Sequence, residues 1–268
     1  MNPTVCLLGN STVRLYPVIG NNLMTARLIE WPTARFLKSA AVLRKHPLLQ
    51  RPLVVCSVQR EALALVRRLA LAVRQPLQVY GAEFGPGLPV RLSRAARATV
   101  GRDRLAGCKA ALDEFPRGAV VCDVGTALTV NRVTVRGFEG GLIAPGLELG
   151  LRALHVGTSQ LPLAGGVSGR NSRTPGRFPA KNTETAMELG CLYSVAGAIE
   201  KAYRNACRKA GDGGREIRRE NRSGPTLPLL LTGGGGIMIR RFLALPVLWR
   251  PHLVARGVWL AYQESALL

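Results

Sequence analysis

Ala119-Val120-Val121-Cys122-Asp123-Val124-Gly125-Thr126-Ala127-Leu128-Thr129 is the stretch on which the fold turns. Its small and β-branched apolar residues predict a buried strand, and the polar Gly125-Thr126 turn ends it. Strand character resumes over 127–135 and again over 137–143. The chain opens in the same way: Val5-Cys6-Leu7-Leu8 is apolar, Gly9-Asn10 is a turn signal, Ser11 to Tyr16 returns to β character, and 24–31 suits a third strand. The recurrence predicts two related halves meeting near residue 118, with domains over 1–117 and 118–268.

Around these strands the apolar spacing alternates between the two periods. Residues 34–45, 59–74 and Leu105–Leu112 have helical spacing, and Leu53–Cys56 reads as a buried strand between the first two. A long helix is expected from 183 to 209, followed by a Gly-, Arg- and Glu-rich loop over 211–225. Leu229-Leu230-Leu231 is a last buried strand before Thr232 and the four glycines Gly233 to Gly236. A short helix, a strand near 253–255 and a terminal helix from Val258 complete the expectation, which is an α/β fold.

The 268 residues carry 37 Lys and Arg against 16 Asp and Glu, a formal charge of +21. Such an excess first suggests nucleic acid or an anionic membrane. The residues are mostly arginine (31, with 6 lysines) and scattered, and aromatics are only 5%, so the interleaving of bases and rings expected of a nucleic-acid surface is missing. A nucleic-acid role is therefore not expected on sequence grounds. No uncharged apolar window is long enough for a membrane span, and the N-terminus is too short and uncharged for a signal peptide. Six cysteines without a CxxC and three distant histidines argue against a disulfide framework or a zinc site. A cytoplasmic protein with reduced thiols is expected.

Three polar turns follow apolar strands, the place where α/β folds bind ligands. Gly9-Asn10-Ser11, Gly125-Thr126 and Gly233-Gly234 each combine close backbone approach with hydroxyl or N–H donors suited to phosphate. A Walker-type loop is absent. Asp123, at the end of a buried strand, reads either as a turn cap or as a cation ligand near phosphates. Asp103, in Gly101-Arg102-Asp103-Arg104 before a helix, reads either as a residue stabilised by the helix dipole or as a base with Arg104 gripping an anion.

Taken together, Gly101-Arg102-Asp103-Arg104, Asp123 to Thr129, Gly140-Gly141-Leu142-Ile143-Ala144-Pro145-Gly146, Leu161-Pro162, Asn182-Thr183 with Ala186, Met187 and Gly190, and Thr232-Gly233-Gly234 resemble the type III pantothenate kinase family. That family sits in the acetate kinase–hsp70–actin–sugar kinase superfamily. The resemblance implies duplicated RNase H-like (actin-like ATPase) domains with an interdomain nucleotide cleft, and a homodimer. It implies phosphorylation of pantothenate by ATP to 4'-phosphopantothenate, the first step of coenzyme A biosynthesis, with Mg²⁺ and a monovalent cation, K⁺ or NH₄⁺. By position, Asp103 is then the general base and Asp123 the cation ligand. Gly9, Asn10, Ser11, Thr126, Gly233 and Gly234 contact ATP, and Gly101, Arg102, Arg104 and Thr183 bind pantothenate.

Two positions depart from the family pattern, and the turn after Thr232 is unusually glycine-rich for it. Its first motif, Asp-x-Gly-Asn-Thr/Ser, is here Leu7-Leu8-Gly9-Asn10-Ser11, so leucine replaces the carboxylate near the metal and offers no ligand. The second motif usually ends on an acid, and here on Asn131. Two readings remain open: a kinase, and a catalytically weak or inactive member that binds ligand or regulates.

Overall fold

Apolar alternation starts the first half of the chain. In the computed structural model, which describes residues 2–164, 176–207 and 227–267, β1 (Thr4–Leu8) turns at Gly9–Ser11 and pairs antiparallel with β2 (Thr12–Ile19), Leu8 opposite Val13 and Leu7 opposite Arg14. The expected strand at 24–31 is two pieces, β3 (Asn22–Leu23) and β4 (Ile29–Pro32), separated by a tight turn at Thr25–Arg27. Helical spacing over 34–45 becomes two short helices, α1 (Thr33–Leu37) and α2 (Ala40–Arg44), interrupted at Lys38-Ser39. β5 (Leu53–Ser57) adds parallel to β1, α3 (Arg60–Ala72) follows, and β6 (Leu77–Val79) adds parallel to β5. Gln59 starts α3 by accepting from the Ala62 N–H at 2.6 Å. Ala62, Leu65, Val66, Leu69 and Ala70 form its buried stripe, packed on Cys6, Leu8, Val13, Leu15 and Val55. α4 (Arg94–Thr99) and α5 (Arg102–Glu114) close this part.

The second half repeats the plan. β7 (Gly118–Val124) and β8 (Ala127–Thr134) are antiparallel neighbours, and β9 (Gly137–Pro145) lies beyond β8. Two helices, α6 (Leu147–Gly157) and α7 (Thr183–Ala206), follow, then β10 (Leu229–Thr232), the one-turn α8 (Gly236–Ile239) and β11 (Leu248–Trp249). β10 runs parallel to β7 and β11 parallel to β10. The sheet orders are β3-β2-β1-β5-β6 and β11-β10-β7-β8-β9. In each half, then, a hairpin is extended by two strands added parallel to its first strand, which is the repeat seen in the sequence. Cys122, Val124, Leu128, Val130, Leu229 and Leu231 face α6 and α7 through Leu147, Leu151, Leu192, Val195 and Ile199. The expected loop over 211–225 and the end of the 183–209 helix lie outside the described residues.

One strand expectation is corrected. Residues 253–255 are the first turn of α9 (Leu253–Ser265), and the terminal strand is β11. Leu253, Ala255, Gly257, Val258, Trp259 and Ala261 are buried along α9, so the helical period continues upstream of Val258 and overrides the β-branched local look. The helix packs on α5 so closely that a Cβ on Gly257 would stand 1.7 Å from the Ala106 carbonyl oxygen. Lys109 pairs with Glu264, Arg256 reaches Asp113 and Glu114, and the Trp259 indole N–H donates to Asn21 O at 2.9 Å. The compact units accordingly depart from a single cut at 117/118. One comprises Met1–Pro116, Arg136–Glu139 and His252–Leu268; the other comprises Arg117–Val135 and Gly140–Pro251.

All six cysteines are free thiols. Burial pushes Cys6, Cys56 and Cys122 well above the ordinary thiol range and Cys108 to about 12, so they act as small apolar groups. No helix among the described residues is long and apolar enough to cross a membrane.

Candidate active site

In the first unit the Gly9–Ser11 turn is held by its own backbone and by a residue the sequence pattern did not single out. The Gly9 N–H donates to Thr12 O at 3.0 Å. Thr33, buried at the start of α1, donates its hydroxyl to Gly9 O at 2.8 Å, and its N–H donates to Ser11 O at 2.9 Å. The carbonyls are thereby engaged within the protein, and Asn10 and Ser11 are left exposed at the tip. A hydroxyl after Pro32 was the only sequence signal for Thr33. Leu7 lies half-buried between Arg14 on β2 and Cys56 on β5, and Arg14 pairs with Glu30 of β4.

The start of α5 places the second group. Gly101 precedes the helix, and a Cβ on it would stand 2.6 Å from Asp103 Oδ1. That oxygen accepts from the Arg104 N–H at 2.9 Å. Burial raises the Asp103 carboxyl above its ordinary value; the Arg104 N–H and guanidinium pull it partly back. Arg102 folds its guanidinium against the backbone of Gly81, which has φ +78° and where a Cβ would meet Arg102 Nε at 2.6 Å. Arg104 lies with its Cζ 5.5 Å from the centre of the Phe138 ring. The two arginines thus project from one helix start towards different neighbours, with the carboxylate between them in sequence.

In the second unit, Asp123 faces Thr129 across β8 and Thr232 across β10. Asn131, one pleat further along β8, is buried, and its amide Nδ2 donates to Thr129 Oγ1 at 3.1 Å. These four residues share the sheet face opposite the apolar core, because paired residues and alternate residues point the same way. Gly233 has φ +89°, and a Cβ there would stand 2.3 Å from Asp123 Oδ1. Only glycine both adopts that conformation cheaply and leaves the carboxylate its place. The Gly125-Thr126 turn is exposed, and Gly146 donates to Thr126 O at 3.1 Å. Gly234 is exposed with open space where a Cβ would go. Thr183 is the exposed first residue of α7, after Asn182, whose side chain caps the helix by accepting from the Thr185 N–H at 2.8 Å. No hydrogen bond among the described residues joins Thr183 to the Asp123 group.

The structure therefore brings Gly101, Arg102, Asp103 and Arg104 together in one unit and Asp123, Gly125, Thr126 and Gly233 together in the other. Sequence reasoning missed Thr129 and Thr232 as companions of Asp123, since only the strand register reveals them. The Asp123 carboxylate and the Thr232 hydroxyl are hard oxygen donors of the kind that fit a monovalent cation. Mg²⁺ is a different matter. Among the described residues there is no group of three His, Cys, Asp or Glu side chains that could hold a metal, and Leu7 supplies no donor. The residues around position 7 do not fit a divalent ion.

Two sheets of one order, each opening on a hairpin with a glycine- and hydroxyl-bearing turn, define the actin-like class of the acetate kinase–hsp70–actin–sugar kinase superfamily. Within that class the chain belongs to the type III pantothenate kinase family, whose sequence profile matches residues 8–205. It is 37% identical over 165 residues to the type III pantothenate kinase of Rhodopirellula baltica, covering 59% of this chain and 53% of that protein. It is 36% identical over 198 residues to that of Cupriavidus taiwanensis (65% and 64%) and 38% identical over 189 residues to that of Treponema pallidum (66% and 67%). The matches thus span roughly half to two thirds of these relatives' lengths. Among solved structures, a Baf family transcriptional activator from Campylobacter jejuni superposes with a TM-score of 0.60 at 16% identity, over 99% of this chain and 100% of that one. The ethanolamine utilization protein EutJ from Carboxydothermus hydrogenoformans gives 0.53 at 12% identity, over 97% and 90%. At such identities these two likenesses concern the fold alone.

Proposed function

We propose that the chain transfers the γ-phosphoryl group of ATP to the primary hydroxyl of pantothenate, giving 4'-phosphopantothenate at the head of coenzyme A biosynthesis. The observation that carries this reading is the Asp103 carboxylate: half-buried, raised in pKa and held by the Arg104 N–H beside a glycine that leaves it room. A primary alcohol is far too weak an acid to be deprotonated in advance. Asp103 therefore takes its proton only as the bond to phosphorus develops, and a raised pKa improves the driving force for that transfer. Arg104 and Arg102 bind the carboxylate end of pantothenate through guanidinium donors, with Gly101 and Thr183 completing its contacts. Gly9, Asn10, Ser11, Thr126, Gly233 and Gly234 cradle ATP through backbone N–H and hydroxyl groups.

Asp123, with the Thr232 hydroxyl facing it across β10, would hold K⁺ or NH₄⁺, which would supply positive charge to the site. Family membership also implies Mg²⁺, for which Leu7 supplies no ligand. A homodimer in the cytoplasm is part of the same proposal. The scattered +21 charge provides a background field favourable to two anionic substrates.

A second reading, a ligand-binding or regulatory member with little turnover, is favoured by the neutral residues Leu7 and Asn131 at two positions where the family has acids. An ATP-dependent assay on pure protein with pantothenate, Mg²⁺ and K⁺ separates the two. Turnover above an Asp103→Asn control supports the kinase, and ligand binding in calorimetry without turnover supports the alternative.

A further inference from the structure

The buried amide of Asn131 has a partner that bears on the cation. Asn131 Nδ2 donates to Thr129 Oγ1 at 3.1 Å, and Asn131 is 1% exposed. Thr129 stands directly opposite Asp123 in the β7–β8 register, where facing side chains lie close enough to touch. A hydroxyl has one proton to give and two lone pairs to offer. With an amide N–H directed at its oxygen, the proton remains for an acceptor, and the facing acceptor is the Asp123 carboxylate. The positive end of the N–H dipole also disfavours a cation on the same oxygen.

From this geometry, and resting on the cation role proposed above for Asp123, we infer that Asn131 is a positioning residue. It turns Thr129 into a hydrogen-bond donor to Asp123 and withdraws the Thr129 oxygen from the cation's ligand set. A carboxylate at 131 reverses the direction: it accepts the Thr129 proton, presents the hydroxyl oxygen to the cation and adds a second negative charge. The amide thus lowers the affinity of this site for a monovalent ion.

The test is a KCl titration of the thermal midpoint, with choline chloride holding ionic strength constant so that screening does not contribute. Thr129→Val in the natural chain is expected to leave the half-saturating K⁺ concentration within about twofold, since the oxygen is not a ligand. Asn131→Asp is expected to lower it about tenfold. Adding Thr129→Val to Asn131→Asp is expected to remove most of that gain, a coupling absent from the natural background.

A tenfold rise on Thr129→Val alone would show that the oxygen already binds the ion and would overturn the inference. So would an unchanged K⁺ response in Asn131→Asp. If the buried carboxylate prevents folding, Thr129→Val alone still decides. A K⁺ response that appears only in Asn131→Asp supports the inference. If K⁺ affects neither chain the inference fails, and the pantothenate assay then decides separately whether the kinase reading fails with it.

Discussion

Gly101→Ala tests the geometry of the base without touching the base. Gly101 has φ −56° and ψ 131°, a backbone conformation open to alanine, so the chain before α5 need not change. The added Cβ stands 2.6 Å from Asp103 Oδ1. The oxygen must retreat by roughly half an ångström to reach even a tight contact. Its 2.9 Å bond from the Arg104 N–H then stretches or breaks. Losing that charge-assisted bond costs about 1.5 to 3 kcal/mol locally, and the carboxylate leaves the position from which it meets the hydroxyl. Misplacement by 1 Å costs about a hundredfold in rate, so a fall in kcat of about ten- to a hundredfold is expected, with a near-natural melting temperature. The assay is ADP release coupled to pantothenate phosphorylation, run beside Gly197→Ala on the exposed side of α7, where the new Cβ meets nothing and activity should be retained. If Gly101→Ala keeps kcat within threefold while Asp103→Asn removes it, the placement of Asp103 Oδ1 against Gly101 does not govern catalysis and the reasoning is refuted.

Other perturbations probe other parts of the molecule. Because burial raises the Asp103 carboxyl and the base must be ionised, kcat should climb with pH through a value above the ordinary carboxylate range. The unfolded chain ionises first, so ionised Asp103 lowers stability as pH rises from the ordinary to the raised value. Asp103→Asn should then abolish turnover without lowering the neutral-pH melting temperature, read by calorimetry. Leu7→Asp should raise turnover at least about tenfold and sharpen its Mg²⁺ dependence, since a missing metal-positioning carboxylate is worth several kcal/mol in the transition state; an unchanged Mg²⁺ titration counts against that role. Gly257→Ala, whose Cβ would stand 1.7 Å from Ala106 O, should force α9 off α5 and cost about 3 kcal/mol or more in urea denaturation.

The parts of the fold legible in the sequence are those with a local cause. Val120 to Val124 and Val5 to Leu8 announce strands because a short apolar run is buried on both faces over most of its length, and the Gly9 and Gly125 turns mark the repeat. What stayed hidden depends on partners far away in the chain. Leu253-Val254-Ala255 looks extended until α5 is there to receive a helix, and Leu248-Trp249 becomes a strand only by pairing with Leu230 and Leu231. The candidate site divides in the same manner. Asp103, Asp123 and the glycine turns carry recognisable motifs, whereas Thr33 acts through a carbonyl 24 positions away, and Thr129 and Thr232 meet Asp123 only through the register of three strands.

The return of α9 to the first unit also sets a timetable. A ribosome releases the chain from its N-terminus, so α5, with Ala106, Gly107 and Ala110 along its buried side, is synthesised some 150 residues before the helix that covers it. Until His252 and the residues beyond it emerge, this half waits with an uncovered small-residue groove while the other half already has every one of its described strands. The protein therefore completes its second part before its first. Within the first unit, the α5–α9 contact that closes it spans more than half the length of the message, and a nascent chain stalled before α9 keeps that groove open.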